Sequence, residues 1–487
     1  MGTRVSTIPT HLVLALALAA CGNAGDHGSD ASSDAAPAPQ GWGPEIRLTN
    51  DPGSSMTTLN FAHAVAVGAE RAVHVVWYDD RDGGAQVYYK RSLDGGATWE
   101  ADRRLVADAS ATRHNPAVAA SGDTVYASWH EIHANGGYYV SVARSLDRGA
   151  TWEAPVVLTS SMASASTSIA ADGANVDLVW GDSSTGDTEI WISRSSDRGA
   201  TWSTPVQLSS SPYHSWVPNI ALQGERVVAS WVDYRDANEE EYQRISNDGG
   251  ATWSAIARRT NQAADSWAPC VALAGDVVHL FWFDQRDSEF SDVDIERSLD
   301  DAAALIGITV EPIPPRDPAV YYLDDFQPRL ARKLQAIMAA GPTWVAGGGD
   351  PMQLQALLQQ YQDRLASWEA SWEIYGARST DGGATFGPDT RMTTSARLAQ
   401  RPSVVAIGDR VDVVWFDGRD GTDLSDTEIY YKGSTDGGVT WSADLRLSDA
   451  PGTSTLASIA ATEDRVHVVW YDARDGNNEI YYRQLVR

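Results

Sequence analysis

The sequence predicts an all-β chain of four-stranded antiparallel units closed into a ring, a β-propeller, and three observations predict it. First, the phrase Ser92-Leu93-Asp94-Gly95-Gly96-Ala97-Thr98-Trp99 recurs at Ser145–Trp152, Ser195–Trp202, Ser246–Trp253, Ser379–Phe386 and Ser434–Trp441, with a decayed copy at Ser298-Leu299-Asp300. Asp94, Asp147, Asp197, Asp248 and Asp300 lie 53, 50, 51 and 52 residues apart, the regular period of a repeat array. Second, short apolar runs end on Trp77, Trp129, Trp180, Trp231, Trp282, Trp415 and Trp470. Third, the last repeat stops after three strands, and the missing fourth is matched near the start of the chain.

The phrase makes a hairpin turn because its residues satisfy their own backbone. Asp folds its carboxylate onto N–H groups two residues on, Gly accepts positive φ, and the Ser and Thr hydroxyls take the remaining polar groups. The closing Trp starts the next strand with a body large enough to be buried between neighbouring sheets.

Met1 to Ala20 reads as an export signal, with Arg4 as an early cation and Leu12 to Ala20 too short an apolar run to span a bilayer. Leu18-Ala19-Ala20-Cys21 is similar to a bacterial lipobox, which implies cleavage before Cys21 and lipidation of its thiol. Residues 21–40 are rich in Ala, Ser, Asp, Gly and Pro without apolar periodicity, which predicts a disordered tether of about 25 Å root-mean-square span. With Cys21 lipidated, Cys270 has no intramolecular partner, and its apolar strand predicts a buried, inert thiol.

From Gly41 onward each repeat reads as four strands, A to D, such as Pro116–Ala120, Val125–Trp129, Tyr138–Arg144 and Trp152–Leu158. Trp42-Gly43-Pro44-Glu45-Ile46-Arg47-Leu48 matches the D strand Trp441–Leu447, so the N-terminal strand is expected to close the last blade. Seven B strands predict seven blades. Eight is the alternative, because Ser291–Arg297 and Trp372–Arg378 both qualify as C strands. Between them, about 301–371, an insertion carries helical patterns over Gln327–Ala340 and Pro351–Trp372.

The formal charge of −28 argues against nucleic acid or an anionic membrane surface as partner. Nineteen Trp and eighteen Tyr against seven Phe suit half-buried strands and stacking against sugars.

Function falls to the loops. With the turn phrase between C and D strands, the B–C and D–A loops share the opposite end of the ring. There a second phrase, Asp-x-Arg-Asp, recurs around Arg81, Arg235, Arg286, Arg419 and Arg474. Two readings compete: guanidinium groups gripping a sugar acid, and architecture in which each Arg pairs with the Asp before and after it. Blade two breaks the pattern with His130-Glu131-Ile132-His133, and blade three with Gly181-Asp182-Ser183. The D–A loops add Arg113, His114, Tyr213, His214, Trp216, Trp267, Arg397 and Arg401. The ligand-binding candidates are Arg113, His114, His130, His133, Trp216, Arg235, Arg286, Arg419 and Arg474; the catalytic candidates are Arg81, Asp82, Glu131 and Arg401. Asp417, Asp420, Asp423 and Asp426 form an oxygen-rich loop that could hold calcium, with Asp284, Asp287, Glu289, Asp292 and Asp294 as a second acidic stretch; no cofactor is required.

The turn phrase is the Asp-box pattern S-x-D-x-G-x-T-W, and from Gly41 to the C-terminus the chain resembles the sialidase-like (BNR) propellers. That resemblance implies the fold. It does not carry over a catalytic set: Glu45-Ile46-Arg47-Leu48 stands where exo-sialidases have an Arg-Ile-Pro phrase and lacks the Pro. The expectation is a surface-tethered monomeric propeller, lipid-anchored to the cell envelope (the outer membrane in a Gram-negative cell), binding a glycan or other extracellular ligand on its B–C/D–A face. The alternatives are an exo-glycosidase of sialidase type and a propeller that docks an envelope protein.

Overall fold

The structure, a computed structural model, describes residues 41–58, 62–161, 164–236, 238–262, 264–313, 322–421, 426–450 and 452–487. The export signal, Cys21 and the tether lie outside the described residues.

Seven sheets form seven blades, each an antiparallel A–B–C–D meander. In chain order the blades occupy 55–104, 111–161, 164–207, 215–258, 266–391, 399–446 and 454–486. The D strand of the last is Ile46–Arg47, pairing Tyr481 and Tyr482, so the N-terminus closes the ring as its sequence match predicts. The seven B-strand Trp side chains are at most 1 % exposed. Six of them pack in clusters with the neighbouring blade, among them Trp77 of blade 1 with Ile480 and Tyr482 of blade 7, and Trp231 of blade 4 with Ile190 and Ile192 of blade 3. Truncating one such Trp to Ala would cost roughly 3–5 kcal/mol.

The Asp boxes close the C–D hairpins. Asp94 accepts from the backbone N–H of Ala97 and Thr98 and from the Thr98 hydroxyl, while Ser92 Oγ accepts from Gly96 N–H. The carboxylate therefore reaches three and four residues on rather than two. The closing Trp99 lies before the D strand Arg103–Arg104 rather than in it, edge-on to Tyr482 of blade 7.

Two strand readings are corrected. The B strands run past Trp to the acidic residue two positions on, Asp79 in blade 1 and Asp472 in blade 7. The A strands start earlier than the apolar pattern suggests: blade 2 begins at Ala111, blade 4 at Ser215, blade 5 at Ser266 and blade 6 at Ala399. The reason is a bulge in each, between His114/Ala117, Trp216/Asn219, Trp267/Cys270 and Gln400/Ser403, which breaks the two-residue alternation. Arg113, His114, Trp216, Trp267 and Arg401 thus stand on strands, not in loops.

Between the B strand Val277–Asp284 and the C strand Glu373–Ser379 of blade 5 come three helices, α1 (Asp292–Leu305), α2 (Tyr322–Ala346) and α3 (Pro351–Glu369). Residues 292–313 and 322–364 form a compact helical unit of their own. The alternative C strand Ser291–Arg297 and the decayed box at Asp300 are therefore helix. Ile295, Leu299, Ala302, Ala303 and Ile306 recur at helical spacing and are buried, with Leu330 and Ile337 of α2 also buried. Glu296 of α1 meets Arg329 and Lys333 of α2 in a buried ion cluster, and Lys333 also bonds Asp300.

Candidate functional site

The end of the propeller opposite the Asp boxes is built on the Asp-x-Arg-Asp corners. In each, the first Asp ends the B strand, is fully or almost fully buried, and accepts from the indole of the Trp two residues before it. The Arg pairs with that Asp: Arg81 with Asp79, Arg235 with Asp233, Arg286 with Asp284, Arg419 with Asp417 and Arg474 with Asp472, all at 2.5–2.6 Å. Four of these Arg side chains also reach an acid of the D-strand side: Asp102, Asp389, Asp444 and Glu45 for Arg81, Arg286, Arg419 and Arg474.

The second Asp does something the sequence reading did not foresee. Asp82, Asp236, Asp287, Asp420 and Asp475 each accept a phenol hydroxyl from a C-strand Tyr, respectively Tyr88, Tyr242, Tyr375, Tyr430 and Tyr481. The corner Arg lies over the face of that same Tyr at 4.0–4.6 Å. Trp, Asp, Arg and Tyr thus form one closed unit in each of these five blades, with the Arg fork matched to carboxylate and ring within the blade. Arg81, Asp82, Arg235, Arg286, Arg419 and Arg474 are all occupied in this way.

Blade 2 keeps the frame and changes the groups. Glu131 takes the position of the buried Asp, two residues after Trp129, and accepts its indole N–H at 2.9 Å. His133 takes the position of the Arg and bonds Glu131 Oε2 at 3.0 Å. Arg113, 2 % exposed, reaches Glu131 at 3.4 Å and Gln86 of blade 1 at 2.8 Å. Beside them His114 stacks on His130 at 5.6 Å and meets Tyr78 at 5.5 Å. Burial lowers both imidazoles' affinity for a proton, and His114 lowers it further at His130, to about 3. Arg113, His114, Glu131, His130 and His133 are thus brought together, with His130 and His114 neutral.

Trp216 is half-buried in an aromatic run that crosses two blades, 5.8 Å from His214 and 6.0 Å from Trp267, nearly parallel to both.

Arg401 is not one of the five corner arginines. The A-strand bulges place one residue each in the left-handed region: Asn115, Ser166, Val217, Ala268, Arg401 and Leu456. Among these equivalents Arg401 alone is charged. With Thr58, Ala62, Pro402, Ser403, Leu456 and Ala457 it lines a small cleft between the A strands of blades 6 and 7 and the start of blade 1.

For calcium, Asp417 and Asp420 are engaged in the blade 6 corner, Asp423 lies outside the described residues, and Asp292 and Asp294 belong to α1. Among the described residues no group of three or more His, Cys, Asp or Glu side chains is placed to hold a metal ion. Cys270 is buried, its thiol pushed up to about 12 by desolvation, and its sulfur accepts from Val404 N–H. Sequence reasoning missed the corner tyrosines and a second repeated unit, in which Glu240, Glu373, Glu428 and Glu479 pair with the D-strand residues Arg258, Arg391, Arg446 and Arg47. The recurrence of Glu-x-Tyr after four of the five corners, with Gln86-Val87-Tyr88 after the first, was the available signal.

A family model described as a BNR repeat-like domain matches residues 31–230. No curated protein matches the sequence. Among solved structures, an ulvan lyase of polysaccharide lyase family 25 is similar over 90 % of this chain and 95 % of its own, at 11 % identity and a TM-score of 0.52. A Hadza microbial sialidase matches over 87 % of this chain at 12 % identity and a TM-score of 0.44, and this chain spans 65 % of its length. The α-L-arabinofuranosidase of Fusarium graminearum matches over 89 % of this chain and 97 % of its own, at 12 % identity and a TM-score of 0.43. Seven closed four-stranded blades with the Asp boxes at the C–D turns make the chain a seven-bladed β-propeller, similar over residues 31–230 to the BNR repeat-like domains.

Proposed function

We propose that this propeller is exported, held at the cell envelope through a lipidated Cys21, and binds a carboxylate-bearing glycan on its B–C/D–A face with Arg401 as the anchoring cation. The observation that carries the reading is the asymmetry at the bulges: one guanidinium among Asn, Ser, Val, Ala and Leu equivalents, lining a cleft. A guanidinium takes a carboxylate with two parallel hydrogen bonds. On a chain of net charge −28, such a local cation is what an acidic sugar requires. The corner arginines, held by their own blades, serve as the frame.

A catalytic reading has one observation in its favour, the Glu131–His133 pair, in which a buried carboxylate held by Trp129 and Arg113 orients a part-exposed imidazole. The two readings separate in one experiment on the protein lacking residues 1–40. Binding to a panel of uronic-acid and sialic-acid oligosaccharides and turnover of a fluorogenic sialoside and other glycosides are measured with and without calcium. Binding without turnover that Arg401→Ala abolishes, with folding intact, supports the first reading. Arg401→Ala binding like the parent refutes it, and turnover lost in His133→Ala establishes the second.

A further inference from the structure

One residue near the start of each C strand, paired with the residue after the B-strand Trp, is deeply buried. In six blades it is Val87, Val140, Ile190, Ile374, Ile429 or Ile480, each at most 1 % exposed. In blade 4 the equivalent residue is Glu241. The register is unambiguous, since each of these residues pairs with the one after the B-strand Trp, Val232 for Glu241 and Tyr78 for Val87. Glu241 is fully buried, and neither carboxyl oxygen has a hydrogen-bond partner among the described residues. A carboxylate in that slot would be a charge without water or counter-ion.

We propose that Glu241 is carried in the folded protein as a neutral carboxylic acid, so that the seam between blades 4 and 5 closes with uptake of one proton and loosens as pH rises.

The nearest cation in the register is Arg259, which gives its backbone N–H to the Glu241 carbonyl while its guanidinium donates to the Gly383 carbonyl and lies over the Phe386 ring of blade 5, so neither carboxyl oxygen of Glu241 is bonded by it. The charges acting on Glu241 are Glu240 of its own strand and Asp284 at the end of the blade 5 B strand, both negative, and together with desolvation they hold its proton on well above the usual carboxyl range. Glu240 is already paired with Arg258, and Asp284 with Arg286. The blade 5 A strand Ser266–Ala274 brings only the Cys270 thiol as a titratable group. The blade 4 B strand Arg226–Asp233 brings Asp233, neutralised by Arg235, and Arg226 at its far end; His279 stands toward the far end of the blade 5 B strand. Glu241 also shares a lateral row with the aromatic bridge between the same two blades: Trp216 pairs with Val232, which pairs with Glu241, and Trp216 stacks on Trp267.

The sign follows from the protons bound. The unfolded chain loses the Glu241 proton near pH 4.5 and the folded chain keeps it, so the folded state binds more protons and stability falls as pH rises above that value. One linked proton changes the folding equilibrium constant up to tenfold per pH unit. The test is urea unfolding of the 41–487 protein from pH 5 to 8, below the range where an unfolded thiol ionises, for the parent, Glu241→Gln and Glu241→Ile. The difference between parent and Glu241→Gln cancels every other titrating group. It is expected to slope by up to tenfold per pH unit, with Trp fluorescence of the folded parent changing at its alkaline end, and Glu241→Ile is expected to follow Glu241→Gln. Parallel pH profiles for parent and Glu241→Gln overturn the proposal. So does a calcium-dependent stabilisation of the parent that Glu241→Gln abolishes, which would make Glu241 an ionised cation ligand. Should both variants fail to fold, proton uptake on refolding the parent, measured in two buffers of different ionisation enthalpy at pH 7, still decides: no uptake refutes it.

Discussion

Arg419→Ala distinguishes a guanidinium that builds the propeller from one that serves a ligand. Arg419 bonds buried Asp417 at 2.6 Å, Asp444 at 2.7 Å, and lies 4.5 Å from the centre of the Tyr430 ring. Removing one member of a buried ion pair costs about 3–5 kcal/mol when the remaining charge is left alone. Asp417 is not left alone: Ser395 Oγ, Trp415 Nε1 and its own corner's backbone N–H still donate at 2.7–3.0 Å, and Asp444 keeps Lys432. The ion-pair loss therefore falls to about 2–3 kcal/mol, and loss of the contact with Tyr430 adds about 0.5 kcal/mol. A net destabilisation of about 3 kcal/mol is expected, read as a lower urea midpoint at unchanged slope. Ligand affinity measured well below that midpoint should be unchanged, whereas Arg401→Ala should remove binding. Arg419→Ala that unfolds like the parent but no longer binds ligand would refute the division between frame and site.

Two further outcomes follow from the repeats. Gly96→Ala should destabilise by several kcal/mol, since its φ of +89° disfavours any Cβ and that Cβ would overlap the Tyr482 phenol of blade 7; thermal unfolding beside Gly122→Ala, which has open space, measures it. Acid should also weaken the fold. Burial above all lowers His74 and His130 to about 3 and His279 and His467 to about 4. Each stays neutral when folded and takes a proton near pH 6.5 when unfolded, so stability falls as pH drops from about 6.5 toward 4. His467→Gln should reduce that slope by one proton, and an unchanged slope would place the loss elsewhere.

The ring is legible in the sequence because its signals are local and repeated. Asp94 and its equivalents close their turns with atoms at most four residues away, and the B-strand Trp residues announce the strands that bury them. The closing strand at Ile46–Arg47 was legible too, through its likeness to Leu445–Arg446. Reading failed where partners lie far apart in sequence. Ser291–Arg297 passes for a strand until Ile295 and Leu299 are seen recurring along a helix, and Asp287 is matched to Tyr375 across the whole insertion. The bulges hid that Arg113, Trp216 and Arg401 stand on strands, because one extra residue reverses the inward and outward alternation.

Composition, period and turn chemistry by themselves determined a ring of four-stranded blades with its loops sorted to two ends, and the structure decided between seven blades and eight. Which loop-face groups are committed was decided only by the tertiary structure. Identical Arg and Asp phrases look equally able to hold a ligand until the Tyr beneath them is placed. Glu241 looks like one acid among many until its register puts it in a slot that six other blades fill with Val or Ile. Local turn geometry is written in adjacent residues; burial and charge pairing depend on what the neighbouring blade brings, and no single repeat contains that.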